Sequence, residues 1–184
     1  MAAALVLIDI QNDYFPGGKM ELDKSFEASE CARLLLNYFR ETQRPIVHIQ
    51  HVAIRPGATF FLPDTEGVKT HANVMPLEGE VVIQKHFPNS FRETRLLEHL
   101  RQKGIDQLVI AGMMTHMCVD ATTRAATDFG FPCLIAADAC ATRTLTFGNQ
   151  SVPAAQVHAA FLAALDGSYG RVLTVEEIIR RLQS

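Results

Sequence analysis

Two short runs of the chain, Ala4–Ile8 and Leu108–Ala111, contain no polar side chain. A run of that length without alternation is expected of a strand covered on both faces, the situation of strands in a parallel sheet. Four further stretches read as strands: Ile46–Gln50, Val81–Ile83, Cys133–Ala137 and the short Arg171–Leu173. Helical spacing separates them. Ala28, Ala32, Leu35, Leu36 and Phe39 recur as one face until Pro45 blocks continuation, and Leu96, Leu97 and Leu100 form another that ends at Gly104. A third pattern runs from Met117 through Ala121, Ala125 and Phe129 to Gly130, and a fourth from Pro153 through Val157, Phe161, Leu162 and Leu165 to Gly167. Thr174–Glu177 has the spacing of a capping box before Ile178, Ile179 and Leu182, and Ser90–Glu93 has the same spacing before Leu96. Six alternations predict a three-layer α/β/α sandwich, Rossmann-like, around a six-stranded parallel sheet with right-handed crossovers.

Composition narrows the function classes. The 184 residues suit one domain, 1–184, and a net charge of −3 gives no electrostatic reason to expect nucleic acid or an anionic membrane as partner. No apolar run approaches the roughly 20 residues that span a bilayer, and the N-terminus lacks the pattern of a signal peptide, so a cytoplasmic protein acting on a small molecule is expected. Neither GxGxxG nor GxxxxGK[ST] occurs, which removes the usual nucleotide cradles and leaves no cofactor expected. The four cysteines show no CxxC pair. Cys31 and Cys133 fall within helix and strand patterns and read as core, and Cys140 reads as a loop residue after the fifth strand.

Ligands of such sheets bind outside the carboxyl ends of the strands. Three chemically active residues are expected there: Asp9 after the first strand, Lys85 after the third, and Cys118 after the fourth. Cys118 is placed in the first turn of a helix, where exposed N–H groups and the helix dipole favour thiolate. An acid, a lysine and a thiol suit acyl transfer to sulfur, with Asp9 as proton carrier and Lys85 as its counter-charge. The competing structural reading is a buried Asp9–Lys85 ion pair beside an inert thiol. Gln11, Phe15, Phe87, Phe91 and His116 flank these positions and are the candidate substrate contacts. His48, His51 and His71 follow or lie within the second strand without the spacing of a zinc motif, and no metal is expected. A polar segment punctuated by Pro and Gly, residues 55–80, reads as a lid or an oligomer contact.

Three blocks together, Leu5–Tyr14, Lys85–Phe91 and Gly112–Asp120 followed by Thr122 and Ala125–Ala126, resemble the isochorismatase-like cysteine hydrolase superfamily, which includes nicotinamidases and other small-amide hydrolases. The resemblance implies a catalytic triad of Asp9, Lys85 and Cys118. It also implies a cis peptide between Met113 and Met114 that orients the N–H groups of Met114 and Cys118 as an oxyanion hole, and assembly as a homodimer or homotetramer. Where nicotinamidases carry an Asp-x-His metal motif this chain has His51-Val52-Ala53, and unlike isochorismatases that cleave a vinyl ether it carries a cysteine at 118. The expected activity is therefore metal-independent hydrolysis of the C–N bond of a small amide or imide through a thioester on Cys118. The alternatives are vinyl ether hydrolysis and a non-enzymatic oligomeric binding protein on the same fold.

Overall fold

The computed structural model describes residues 2–183. Six parallel strands, β1 (Ala3–Ile8), β2 (Ile46–His51), β3 (Val81–Lys85), β4 (Gln107–Met113), β5 (Cys133–Ala141) and β8 (Arg171–Leu173), form one sheet in the order β3-β2-β1-β4-β5-β8. Helices α1 (Ser25–Glu41), α2 (Leu96–Gln102), α3 (Asp120–Asp128), α4 (Ala154–Leu165) and α5 (Val175–Gln183) complete the three layers. Every side chain of β1 is buried, as its unbroken apolar run requires. Leu5 and Leu7 pack with Ala32, Leu36 and Phe39 of α1 and Ile178 of α5 on one face. Ala4, Val6 and Ile8 pack with Leu96 and Leu100 of α2, Ala126 of α3 and Leu162 of α4 on the other. The period-2 alternation of the strand thus sorts one sequence run into two cores.

Two local expectations are corrected. Cys140 is in a strand, not a loop: β5 runs past Asp138 to Ala141, with Cys140 paired to Gly112 and Ala141 to Met113. Asp138 does not end the strand because its side chain points out and accepts the Val175 N–H at 2.9 Å, capping α5. The Ser90–Glu93 box does not form. The Ser90 hydroxyl pairs instead with Thr122 Oγ1 at 2.8 Å, Glu93 takes a left-handed φ of 55°, and α2 starts only at Leu96. The second box does form, with Glu177 accepting the Thr174 N–H at 2.8 Å and Thr174 Oγ1 accepting the Glu177 N–H at 3.3 Å. A hairpin of β6 (Leu145–Phe147) and β7 (Gln150–Val152) was not anticipated; it is exposed and carries Phe147 at its tip.

The long segment after β2 is a packed strap rather than a free flap. The buried Asp13 carboxylate accepts the N–H groups of Phe61 at 2.6 Å and Lys19 at 3.1 Å, and Asp13 N donates to Gly67 O at 2.9 Å. Gly67 lies so close that a Cβ there would sit 2.1 Å from the Asp13 carboxylate. His71 N donates to Ile10 O, and Glu80 anchors the far end through Arg40 and His48, at 2.7 and 2.8 Å. Among the described residues no helix is long and apolar enough to cross a membrane.

Candidate active site

The sheet order reverses its direction of winding between β1 and β4, the switch point at whose carboxyl edge doubly wound sheets place their ligands. Ile8 is in register with Gly112. The two backbones approach so closely that a Cβ on Gly112 would lie 2.1 Å from the Ile8 carbonyl oxygen, and Gly112 has a φ of 135° that side chains rarely allow. β4 ends one residue after Gly112, at Met113, and from Thr115 the chain makes a single π-type turn, Thr115–Val119, before α3. That turn begins after a cis peptide between Met113 and Met114. It carries Cys118 back over the end of β1, where Asp9 leaves the strand with a left-handed φ of 51°.

Lys85 comes from β3, two strands from Asp9, a separation of roughly 9–10 Å in the sheet. A lysine stem is long enough to cross it. Its ammonium lies 2.7 Å from Asp9 Oδ2, with both side chains fully buried, and donates further to His51 Nδ1 and the Phe87 carbonyl, each at 3.1 Å. The Cys118 sulfur lies within 4.8 Å of an Asp9 carboxylate oxygen and of a His51 ring nitrogen. Apart from the ion pair with the ammonium, neither Asp9 oxygen is held by a hydrogen bond, which leaves lone pairs free for the thiol proton. The three residues expected from the sequence therefore meet at one point.

The protonation state differs from the expectation of a helix-start thiolate. Burial pushes the Cys118 thiol up, the Asp9 carboxylate pushes it further, and Lys85 offsets only part of this. The resting residue is a thiol. Burial by itself would lower Lys85, but the neighbouring Asp9 carboxylate outweighs it and holds the ammonium above its ordinary range. Burial, with Lys85 nearby, brings His51 down to about 4 against the pull of Asp9, so at neutral pH His51 is an uncharged acceptor for the ammonium. Tyr14 is held as a neutral phenol, well above its usual value, by burial and by the neighbouring Cys118 and Asp9.

Donor atoms of Asp9, His51 and Cys118 lie within 4.8 Å of one another, a spacing a cation could bridge. The cation bonded there to Asp9 and His51 is the chain's own ammonium, Lys85. His48 and His71 lie elsewhere: His48 is buried against Glu80, and His71 stacks on Phe15 with ring centroids 3.6 Å apart.

The expected substrate contacts divide. Gln11 donates to the carbonyls of His51 and Val68 and accepts the His51 N–H, so its amide is engaged in joining β1 to the strap. Phe91 packs against Phe129 and Phe131 in the core beneath α2 and α3. Phe87 is half-buried under the Arg92 guanidinium, 3.6 Å above its ring, and its carbonyl holds Lys85. His116 stays near the site, its Nδ1 2.5 Å from Thr142 Oγ1 at the end of β5. Tyr14 and the His51 acceptor were not singled out as site residues by the sequence reading. Their proximity to Asp9, five residues on for Tyr14 and at the end of the neighbouring strand for His51, was the available signal.

A doubly covered six-stranded parallel sheet with Cys118, Asp9 and Lys85 converging at its switch point is the architecture of an isochorismatase-like α/β fold. The chain belongs to the isochorismatase domain family, whose model matches residues 3–177. It is 50% identical over 180 residues to an uncharacterized isochorismatase family protein, YddQ, of Bacillus subtilis (strain 168), covering 98% of this chain and all of that one. It is 32% identical to a streptothricin hydrolase of Streptomyces noursei, over 83% of this chain and 60% of that protein. A crystal structure of an isochorismatase hydrolase from Oleispira antarctica superposes with a TM-score of 0.93 at 48% identity, covering 97% of this chain and 96% of that one. Members of the family are thus hydrolases by name and share this fold.

Proposed function

We propose that the protein is a cysteine hydrolase that cleaves the C–N bond of a small amide or imide, with Asp9, Lys85 and Cys118 as the catalytic residues. The observation that carries this reading is the buried Cys118 sulfur within 4.8 Å of an Asp9 carboxylate oxygen, with neither Asp9 oxygen engaged in a hydrogen bond and Lys85 ion-paired to Oδ2. Because the resting sulfur is protonated, attack on the carbonyl carbon and loss of the S–H proton to Asp9 are coupled. Lys85 keeps the site's charge balanced while that proton moves. The carbonyl electrons go to an oxyanion stabilised by the N–H groups of Met114 and Cys118. Collapse breaks the C–N bond, and the nitrogen takes the proton held by Asp9 and leaves as ammonia or an amine. Water then attacks the thioester, Asp9 accepts its proton and returns it to sulfur, and a carboxylic acid departs.

The likeness to a protein named streptothricin hydrolase is consistent with hydrolysis as the reaction class. The separation of this reading from vinyl ether hydrolysis rests on the sulfur. Release of ammonia from a panel of small amides is the test: wild-type protein turns over at least one, and Cys118→Ala loses turnover by about 10³-fold or more. Undiminished turnover in Cys118→Ala refutes the nucleophile assignment.

A further inference from the structure

We infer that His158 of α4 is a positioning residue for the reaction: through the Thr115 hydroxyl it fixes the turn that carries Cys118, without touching substrate. The inference rests on the amide hydrolase reading above and names a further residue which that reaction needs. The helix reads Ala-Ala-Gln-Val-His-Ala-Ala-Phe-Leu-Ala-Ala-Leu, apolar apart from Gln156 and His158. Gln156 is exposed, whereas His158 is half-buried beside Val157, with Ala154 one turn before it and Leu162 one turn after. An imidazole on the inward side of a helix is costly unless its nitrogens are paired. Nδ1 is paired: it lies 2.9 Å from Thr115 Oγ1, 43 residues away in the chain. Thr115 is fully buried, and its Oγ1 also lies 3.2 Å from the Ala141 carbonyl. One hydroxyl thus ties the turn to α4 and to β5 at once.

Thr115 opens the π-type turn, so its tether governs the geometry around the sulfur. The carbonyl of the preceding residue, Met114, accepts the N–H groups of Met117 at 3.0 Å and Val119 at 3.2 Å, the two neighbours of Cys118. Rotation at Thr115 therefore moves the Met114 peptide, the sulfur and the Cys118 N–H together. The next residue is held by the same two elements. His116 Nδ1 lies 2.5 Å from Thr142 Oγ1, just past β5, and its ring is edge-on to Phe161 of α4, centroids 5.9 Å apart. Asp9 and Lys85 are fixed independently, by their ion pair and by β1 and β3. His158 thus sets the nucleophile's side of the site against a carboxylate held from elsewhere. It lines a separate cavity of about 350 Å³ whose walls include Ala137, Asp138 and Ala154 and none of Asp9, Lys85 or Cys118. Its influence on the chemistry passes through Thr115. A misplacement of about 1 Å costs about 100-fold in rate, which is the scale on which such a tether matters.

Three variants test this. His158→Ala removes the contact, His158→Asn places an amide donor or acceptor where Nδ1 stands, and Thr115→Val keeps the side-chain shape and loses the hydroxyl. The first readout is steady-state ammonia release from an amide that the wild type hydrolyses. The second is hydrogen exchange of the backbone amides of residues 114–119, which needs no turnover. For His158→Ala we expect kcat lower by about 10- to 100-fold, KM within about twofold of wild type, and exchange of the turn faster by about tenfold. Thr115→Val shows the same changes, the double variant is no worse than either single one, and His158→Asn restores kcat to within about threefold. Where His158→Ala does not fold, Thr115→Val against wild type reads the same contact. Wild-type kcat and exchange in folded His158→Ala or Thr115→Val, or a loss in His158→Ala that His158→Asn does not recover, overturns the inference. Faster exchange of the turn in both variants, recovered by His158→Asn, in a protein that hydrolyses no amide would sustain the hold of His158 on the turn and refute the hydrolase reading instead.

Discussion

Asp9 and Lys85 are a fully buried ion pair 2.7 Å apart, and each is costly without the other. Lys85→Met leaves a carboxylate with no other partner than a neutral thiol, so it is expected to lose about 3–5 kcal/mol of stability, read as a fall in denaturant midpoint. Asp9→Asn is the milder probe. Asparagine tolerates the left-handed backbone found at this position, so the end of β1 is kept while the proton acceptor is lost. That variant should remain folded by circular dichroism and lose turnover by about 10²–10⁴-fold. An Asp9→Asn protein with wild-type turnover would mean that the thiol gives its proton to another group. His51 has a supporting role as a neutral acceptor that positions the Lys85 ammonium.

Among the elements, Gly112 has the narrowest tolerance. Gly112→Ala would drive a methyl group into the Ile8 backbone, and we expect a loss of at least about 3 kcal/mol or insoluble protein; a stability change under about 1 kcal/mol on chemical denaturation would show that β1 and β4 can separate. The strap predicts a graded effect. Asp13→Ala frees the Phe61 and Lys19 N–H groups, each worth about 1–3 kcal/mol when left unmade, and should raise hydrogen exchange across residues 55–70 before it affects the sheet.

The same elements explain what could be read in advance. Strands buried on both faces leave unbroken apolar runs, so β1 and β4 and the carboxyl-edge positions of Asp9, Lys85 and Cys118 were legible from spacing alone. The overrun of β5 was not, because Asp138 looks like a terminus in sequence and only in three dimensions caps α5. The Ser90 box failed for a similar reason: a hydroxyl 32 residues away, on Thr122, competes for its side chain. The exposed β6–β7 hairpin has too little apolar alternation to announce itself. The thiol state of Cys118 was also hidden, since a local argument from the helix start omits the burial and the Asp9 charge that dominate it.

For the molecule as a whole, pH is the informative variable. Burial lowers His51 to about 4 in the folded state, against about 6.5 for a free histidine. Between those values the unfolded chain binds the proton and the folded one does not, so stability falls as pH drops from 6.5 toward 4, by up to about 3 kcal/mol from this group. Glu80 acts lower on the scale. Burial would raise it, but Arg40, the Leu77 N–H and His48 bring it down to about 2, so its contribution is present above about 4.5 and lost as pH falls toward 2. The melting temperature should therefore hold from pH 8 to 6.5 and decline steadily below, and a maximum near pH 5 would contradict these assignments. We further propose, from the family resemblance, that the chain assembles as a homodimer or homotetramer. Phe147, 85% exposed at the hairpin tip, is an apolar group that such assembly would cover, and sedimentation of Phe147→Ser against wild type tests it.

The central claim is that Cys118 becomes acylated during hydrolysis of a small amide. Rapid acid quench during turnover, followed by intact-mass measurement, reads it directly. We predict one acyl adduct per chain, mapped to Cys118, absent in Cys118→Ala, and decaying as ammonia-producing turnover ends. Continued ammonia release by Cys118→Ala, with no adduct on the wild-type sulfur, would contradict it.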